Sequence, residues 1–357
     1  MMNGRKWGQT KEGEDILVYD LKDPNGTMQA SVMNFGATLL TLEVTAKDGA
    51  LRDVVLGHER PEDYFESGTY YGMTVARCAN RIGGAQFTLN GRTYQLDKND
   101  GNNTNHSGAH SLSRRIWQVT EVSDNAVTFS YDSPDGDMGF PGQMRIDVTY
   151  TVKDNALYVD YHALADQDTV FNPTHHSYFQ LMGHGNGDIL DHSLVIHAKE
   201  VTYANEESVP DGTIRPVADT PMDFRTRQRI GDRIDADYDL LRFASGYDHN
   251  YILCKDEEVT AEELAAHGRT VTHAATLYAP DESLVLSVYT DCPGFQIYAG
   301  NFIPDGSIGK GGKRYPRRGG IALETQFYPN ALNIPSFPQP IIRAGEDYYS
   351  RTVYRFD

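Results

Sequence analysis

The sequence predicts an all-β protein, an antiparallel sandwich or barrel with few short helices. Apolar and polar residues alternate with a period of two in many segments, which is typical of strands that bury one face. The chain also contains 33 glycines and 22 tyrosines, which suit tight turns and pleated surfaces. Helical patterns are scarce, so alternating βαβ units are not expected.

The first clear element is a hairpin around Asn90-Gly91. Residues 87–89 and 94–96 alternate between apolar and polar side chains on either side of this dipeptide. Because Asn-Gly readily adopts two positive φ angles, it predicts a type I′ turn.

A longer hairpin follows in QMRIDVTYTVKDNALYVDYHALA. Residues 144–152 carry an apolar side chain at every second position, Asp154-Asn155 marks the turn, and residues 157–161 resume the alternation. Shorter alternating strands are predicted at 127–131 and 284–288.

The clearest helical pattern is TAEELAAHG, residues 260–268. Thr260 as N-cap and Glu263 three residues later form a capping box, and Gly268 supplies the stop. A strand pattern resumes at Thr270, so we expect a short surface helix inserted between strands.

Composition restricts the partners and the compartment. The 357 residues include 50 acidic and 32 basic side chains, a formal charge of -18, which argues against nucleic acid as a partner and favours a neutral small molecule.

Three cysteines without CxxC spacing indicate neither a disulfide framework nor a zinc cluster. Without an apolar leader or an apolar run of about 18 residues, we expect a soluble cytoplasmic protein. Without repeats or linkers, we expect one domain, 1–357.

Glu324 is the most informative carboxylate. In GGIALETQFYP it shares a strand face with Ala322, while Ile321 and Leu323 share the other. Burial among apolar neighbours would raise its pKa and make it a useful general base. The alternative is a charge on an edge strand that faces water.

Other polar residues have both a structural and a functional interpretation. Asp248 could bind a ligand or cap a turn, with His249 then facing solvent. Arg81, next to Asn80, could bind a hydroxyl group or form a structural ion pair. His106 lies in a long polar loop, where binding residues and exposed residues are both common.

The stretch NPTHHSYFQL places His175 beside His176. Adjacent strand residues point to opposite faces, so at most one of the two acts in a pocket. His184 does not complete a recognised metal-binding spacing, and we expect no metal.

The basic segment GSIGKGGKRYPRR, residues 306–318, does not match the phosphate-binding GxxxxGK[ST] pattern. Its lysines and arginines could meet a phosphorylated sugar or form a mobile surface loop.

Several segments taken together resemble the aldose 1-epimerase, or galactose mutarotase, family. The resemblance follows the chain in order through NFGATLLTLEV, VARCANRIGGAQFTLNGRTYQL, NPTHHSYFQL, SGYDHNYIL, CPGFQIYAGNF and GIALETQFYPN. It implies a large antiparallel β-sandwich of the galactose mutarotase type that interconverts the α and β anomers of a free aldohexose such as galactose or glucose. It implies no cofactor, and we expect a monomer or homodimer.

The resemblance also implies the roles of individual residues. His176 becomes the general acid and Glu324 the general base. The residues that hold the sugar become Asn80, Arg81, His106, Asp248 and Gln296. Reference pKa values of about 4.3 and 6.5 predict an ionised Glu324 and a partly protonated His176 at neutral pH, so a neighbouring group would have to raise the pKa of the histidine.

Three alternatives stay open at this point. The basic segment would suit a hexose-6-phosphate 1-epimerase, and Glu324 with Asp248 would suit a glycosidase if they flanked one bond. A sugar-binding protein without catalytic activity is the third. The chain departs from the family pattern at His175, Gln180 and residues 107–114, which bears on substrate preference more than on catalysis.

Overall fold

A computed structural model describes residues 4–357, apart from the side chain of Glu258. The predicted all-β class is confirmed, since strands form nearly all the regular structure of these residues and α1 (Asp239–Ala244) is their one α-helix. None of their helices has the length and apolar character needed to cross a membrane. Residues 1–3 of the predicted domain 1–357 lie outside the described residues.

Thirty strands can be assigned within residues 4–357. They are β1 (Arg5–Gln9), β2 (Asp15–Lys22), β3 (Met28–Met33), β4 (Thr38–Thr45), β5 (Leu51–Asp53), β6 (Thr74–Val75), β7 (Arg81–Ile82), β8 (Gln86–Leu89), β9 (Arg92–Gln95), β10 (Thr104–Asn105), β11 (Gln118–Val122), β12 (Ala126–Ser133), β13 (Met144–Lys153), β14 (Ala156–Ala165), β15 (Thr169–Val170), β16 (Thr174–His175), β17 (Tyr178–Phe179), β18 (Ser193–Ile196), β19 (Ala198–Ala204), β20 (Pro210–Pro216), β21 (Gln228–Arg229), β22 (Asp248–Leu253), β23 (Thr272–Tyr278), β24 (Val285–Thr290), β25 (Gly294–Tyr298), β26 (Ser307–Ile308), β27 (Arg314–Tyr315), β28 (Ile321–Gln326), β29 (Ile341–Ile342) and β30 (Tyr348–Phe356).

The remaining helical segments are single turns of 3₁₀ helix. They are Pro61–Tyr64, Gly83–Ala85, Leu112–Arg114, Asp137–Gly139, Ile230–Asp232, Glu257–Val259, Glu262–Leu264, Lys310–Gly312 and Ala331–Asn333.

Three antiparallel sheets form the body of the molecule. Their strand orders are β11-β12-β13-β14-β30-β24-β23-β18-β21, β17-β28-β25-β22-β19-β20 and β1-β2-β3-β4-β5. Buried side chains from all three, including Val159, Leu323 and Leu42, belong to one hydrophobic cluster. The sheets therefore pack face to face around a shared core, as in a sandwich.

Both predicted hairpins are confirmed. Asn90 and Gly91 connect β8 to β9 with φ angles of 52° and 78°, which fits a type I′ turn. Asp154 and Asn155 connect β13 to β14 with φ angles of 54° and 56°. The strands predicted at 127–131 and 284–288 correspond to β12 and β24.

The helix predicted over 260–268 is wrong. Only Glu262–Leu264 form a 3₁₀ turn, and Thr260 pairs with Thr272 as an isolated β-bridge. The Ala261 N–H donates to the Val271 carbonyl at 2.8 Å. Pairing with the following strand satisfies the backbone that a helix would have used, so tertiary structure overrides the local capping pattern.

The functional site uses β28, a strand of the six-stranded sheet that is buried on both faces. All six residues of β28 are buried. Ile321 and Leu323 face the main core, whereas Glu324 opens into a cavity on the other face. β28 lies between β17 and β25, so Glu324 is not a solvent-facing charge on an edge strand.

Candidate active site

A cavity of about 330 Å³ lies over the six-stranded sheet and brings together six of the seven predicted site residues. They are Asn80, Arg81, His106, His176, Asp248 and Glu324. This volume lies at the small end of the range for ligand sites. We call this cavity the sugar pocket.

His176 and Glu324 form the deepest polar pair of the sugar pocket. His176 Nε2 lies 3.6 Å from Glu324 Oε1, and their side chains are only 5% and 3% exposed. His176 follows β16, and Glu324 is central in β28, so both stand on well-paired backbone. The pair can exchange protons with a ligand at the pocket floor.

The adjacent histidines point in opposite directions, as the strand geometry predicts. The His175 ring is buried against the nine-stranded sheet, with its centroid 5.7 Å from that of Tyr150 on β13. The His176 ring lies on the pocket side, 5.2 Å from His106 and 5.1 Å from Tyr178 between centroids. His176 is therefore the histidine of the pair that faces the sugar pocket.

Burial moves both members of the His176–Glu324 pair toward their neutral forms. It lowers the pKa of His176 to about 4, against a smaller raising effect of Asp248. It raises the pKa of Glu324 well above its usual value, with Asp248 raising it further and Arg81 opposing. These shifts contradict the expectation from the sequence, which was an ionised Glu324 and a partly protonated His176. That expectation used reference pKa values, which do not include the desolvation of buried groups. Between the two pKa values the pair carries one proton.

The tautomer of His106 follows from its partner. Its Nδ1 accepts a hydrogen bond from the Asn80 N–H at 3.2 Å, so its proton sits on Nε2. Burial also holds its pKa well below the ordinary value. A neutral His106 therefore presents an N–H donor to a ligand.

The same tautomer bears on metal binding. Ligand atoms of His106, His176 and Glu324 all lie within 4.8 Å of one another, a spacing a metal ion could use. However, a metal needs a free lone pair on the ligating nitrogen while the other nitrogen keeps the proton. The Asn80 N–H imposes the opposite arrangement on His106, which favours binding of a hydroxyl group.

Two residues of left-handed conformation shape the wall of the pocket. Asn80 has φ 60° and His106 has φ 49°, a region where Asn and His are enriched among non-glycine residues. Ser107, in one of the departures from the family pattern, fastens this loop. Its Oγ accepts from the Cys78 N–H at 2.7 Å and donates to the Cys78 carbonyl at 3.0 Å.

Arg81 forms ion pairs and also faces the sugar pocket. Its Nε pairs with Asp100 at 2.7 Å, and its Nη1 lies 3.9 Å from Asp248 Oδ2. It also lines the sugar pocket. The ion pairs fix the guanidinium in a position from which it can reach a sugar hydroxyl.

Gln296 is the predicted site residue that does not line the sugar pocket. Its Nε2 donates to Asp248 Oδ1 at 2.6 Å, so it supports Asp248 from behind.

His249 is buried and its Nε2 contacts the Leu240 carbonyl at 3.2 Å. Asp248 thus stands at the start of a buried strand, and the solvent-facing interpretation of His249 is wrong.

Sequence reasoning missed the aromatic walls. Tyr70, Tyr178, Tyr298 and the exposed Phe302 line the pocket. Tyr178 and Tyr298 stand two residues after His176 and Gln296, so the period-two rule could have placed both on the pocket face. For the loop residues Tyr70 and Phe302 the local pattern carries no such signal.

The basic segment 306–318 is held by structural contacts. Lys310 is mostly buried, and its Nζ donates to Asp53 Oδ2 at 2.6 Å and to the Leu40 carbonyl at 2.7 Å. Arg318 pairs with Asp235 through two hydrogen bonds of 2.9 and 2.6 Å. These structural ion pairs use two of the segment's cations, so Lys310 and Arg318 are not free to hold a phosphate.

The fold and the pocket define a class of protein: an antiparallel β-sandwich with a buried histidine–glutamate pair at the floor of a polar pocket. A family model described as aldose 1-epimerase matches residues 18–355. The chain belongs to the aldose 1-epimerase family.

Individual relatives agree with this assignment. The chain is 38% identical over 330 residues to a galactose mutarotase of Sus scrofa, covering 92% of this chain and 91% of that protein. It is 36% identical over 348 residues to an aldose 1-epimerase of Escherichia coli K12, covering 97% and 96%.

Solved structures confirm the predicted galactose mutarotase-like sandwich. A GalM/aldose epimerase homologue from C. elegans superposes with a TM-score of 0.85 at 29% identity, covering 96% of this chain and 99% of that one. A galactose 1-epimerase from Lactobacillus acidophilus superposes with a TM-score of 0.83 at 26% identity, covering 99% and 98%.

Proposed function

We propose that the protein is an isomerase that interconverts the α and β anomers of a free aldohexose, with His176 and Glu324 as its acid–base pair. The observation that carries the proposal is the 3.6 Å approach of His176 Nε2 to Glu324 Oε1 at the pocket floor. Family membership supports the reaction, and the geometry supports the choice of residues.

The reaction needs two proton transfers. Glu324 as carboxylate removes the proton from the C1 hydroxyl, while His176 as imidazolium delivers one to the ring oxygen. The C1–O5 bond breaks as the C1 carbonyl forms, the open chain rotates about C1–C2, and the reverse transfers close the ring. General acid–base groups of this kind typically contribute about 10² to 10⁴ in rate each.

The ionised form of the pair requires no proton from solvent. It differs from the neutral form only by transfer of one proton from Glu324 to His176, so the total charge is unchanged. A sugar hydroxyl that donates to Glu324 stabilises the carboxylate, and the Arg81 charge lowers the Glu324 pKa in the same sense. Sugar binding therefore prepares the reactive form.

The remaining pocket residues hold the sugar in this proposal. Asn80, Arg81 and His106 supply donors, and Asp248 supplies an acceptor braced by Gln296. Sugar hydroxyl groups both donate and accept, so a mixed set of this kind orients the ring.

Polarimetry tests the proposal. Freshly dissolved α-D-galactose and α-D-glucose should approach their equilibrium rotation faster in proportion to protein concentration, with heat-denatured protein as control. If calorimetry showed sugar binding while the rotation changed at the spontaneous rate, the protein would be a sugar-binding protein without mutarotase activity.

A further inference from the structure

A second, much smaller cavity lies behind the sugar pocket. Its volume is about 10 Å³, and it is bordered by Asn250 and Gln296. Asn80 and Asp248 border both cavities, so the small cavity backs directly onto residues proposed to hold the sugar. We call it the rear cavity.

The Gln296 amide can face this region in only one orientation. Its partner, the Asp248 carboxylate, only accepts hydrogen bonds when ionised, so the NH₂ group of Gln296 must point toward it. The 2.6 Å contact from Nε2 to Asp248 Oδ1 agrees with this orientation. Gln296 Oε1 then points away from Asp248. It is buried and has no hydrogen-bond partner among the described residues.

Asn250 supplies the complementary group. It lies opposite Gln296 in the β22–β25 pairing, so the two side chains share one face of the sheet. Asn250 is 2% exposed, and neither polar atom of its amide has a partner among residues 4–357. A Cβ at Gly294 would come within 2.5 Å of Asn250 Oδ1, so this glycine makes room for the side chain.

We propose that the rear cavity binds one ordered water molecule that joins the Asn250 amide to Gln296 Oε1, which makes Asn250 a positioning residue for Asp248. The volume fits about one water, and buried waters typically join two to four polar groups. This chain of contacts fixes the Gln296 amide in the orientation that donates to Asp248. The inference rests on the proposed function, because Asp248 matters there as a sugar-binding group.

Kinetics of Asn250→Leu test the positioning role. The leucine keeps the branched shape and the number of side-chain heavy atoms but cannot hydrogen-bond, so we expect the KM for α-D-galactose to rise on the order of tenfold, the loss of about one hydrogen bond. We expect kcat to change by less than about threefold, since His176 and Glu324 are untouched. An unchanged KM would overturn the proposal.

A double mutant distinguishes positioning from general disruption. If Asn250 acts through Gln296, Asn250→Leu combined with Gln296→Leu should raise KM no further than Gln296→Leu alone. Fully additive effects would overturn the proposal. Gln326→Leu is the matched control, because Gln326 is an equally buried amide on the same face, with unpartnered polar atoms, and it borders neither cavity. Its KM should equal that of the wild type.

A crystal structure at about 1.5 Å resolution gives a readout independent of activity. We expect water density within hydrogen-bond distance of both the Asn250 amide and Gln296 Oε1, lost in Asn250→Leu. Absence of that water from the wild type would overturn the proposal. If the wild type showed the water but no mutarotation, the proposed function would fail while the water site would stand.

Discussion

The two faces of the six-stranded sheet differ in chemistry although they use alternate residues of the same strands. One face carries Asp248, Gln296 and Glu324, which lie at or behind the sugar pocket. The other carries Phe295 and Leu323, both completely buried in the main core. A single residue step along a strand thus separates a group proposed to act on substrate from a group that stabilises the fold.

The energetic consequences of burial differ between these faces. An apolar side chain gains free energy when it leaves water, so the core face stabilises the protein directly. A buried carboxylate or imidazolium loses hydration, so burial raises the pKa of a carboxyl group and lowers that of an imidazole, and both groups favour their neutral forms. Glu324 and His176 show such shifts. The sheet therefore separates stability from reactivity by side-chain direction, which neighbouring substitutions can test.

The largest expected effect is on catalysis, from Glu324→Gln on the pocket face. The amide keeps the shape but cannot accept the C1 hydroxyl proton, so kcat should fall on the order of 10² to 10⁴. The melting temperature should stay close to that of the wild type, because no buried volume is lost. Polarimetry and thermal unfolding measure the two quantities. A variant that kept more than a tenth of the rate would exclude Glu324 as the base.

The adjacent histidines give a parallel comparison outside the six-stranded sheet, because His175 ends β16, which pairs with β6, and His176 follows it. His176→Asn should reduce kcat by a similar factor of about 10² to 10⁴, since the proton donor to the ring oxygen is gone. His175→Asn should keep the rate within about threefold, because the His175 ring is buried against Tyr150 of the nine-stranded sheet and faces away from the sugar pocket. A reversed pattern in polarimetry would show that His175 is the acid.

Much of this comparison could be predicted from the sequence, because period-two alternation governs side-chain direction. It placed Ile321 and Leu323 opposite Glu324, and it showed that His175 and His176 diverge. Alternation carries no information about which strands become neighbours. The position of Gln296 behind Asp248 depends on the long-range pairing of β22 with β25, and Arg81 reaches Asp248 from β7, a strand that pairs with β10. Thr260 likewise followed its β-bridge partner rather than its local capping pattern.

On the core face, Leu323→Ala should affect stability instead of chemistry. Removing a fully buried leucine typically costs about 2 to 5 kcal/mol of unfolding free energy. Denaturant unfolding measures this loss, and polarimetry on the folded fraction should give a kcat within about threefold of the wild type. A large loss of kcat in correctly folded protein would show that the two faces are coupled.

A smaller effect concerns the acid stability of the buried histidines. Burial lowers the pKa of His175 to about 3, whereas the unfolded chain binds that proton near its ordinary value of about 6.5. The unfolded state then binds more protons between these values, so the stability from His175 is complete above pH 6.5 and falls as the pH drops from 6.5 toward 3.

His175→Asn should therefore flatten the pH dependence of stability. The free energy of unfolding should lose about 1.4 kcal/mol less per pH unit between pH 5.5 and 4.5 than in the wild type. Urea unfolding at several pH values measures the slope, and His110→Asn, which replaces an exposed histidine, serves as control. Equal slopes for wild type and His175→Asn would mean that His175 is protonated in the folded protein.

The smallest effect is expected from the basic segment, which belongs to neither face of the sheet. Lys313 is exposed, and surface substitutions usually change free energies by no more than about 0.5 kcal/mol. Lys313→Ala should thus leave the polarimetric kcat/KM for free galactose within about twofold of the wild type. Lys310→Met should lower stability instead, because it leaves the Asp53 carboxylate without its 2.6 Å partner. If galactose 6-phosphate reacted faster than galactose and Lys313→Ala removed that advantage, the segment would be a phosphate-binding element.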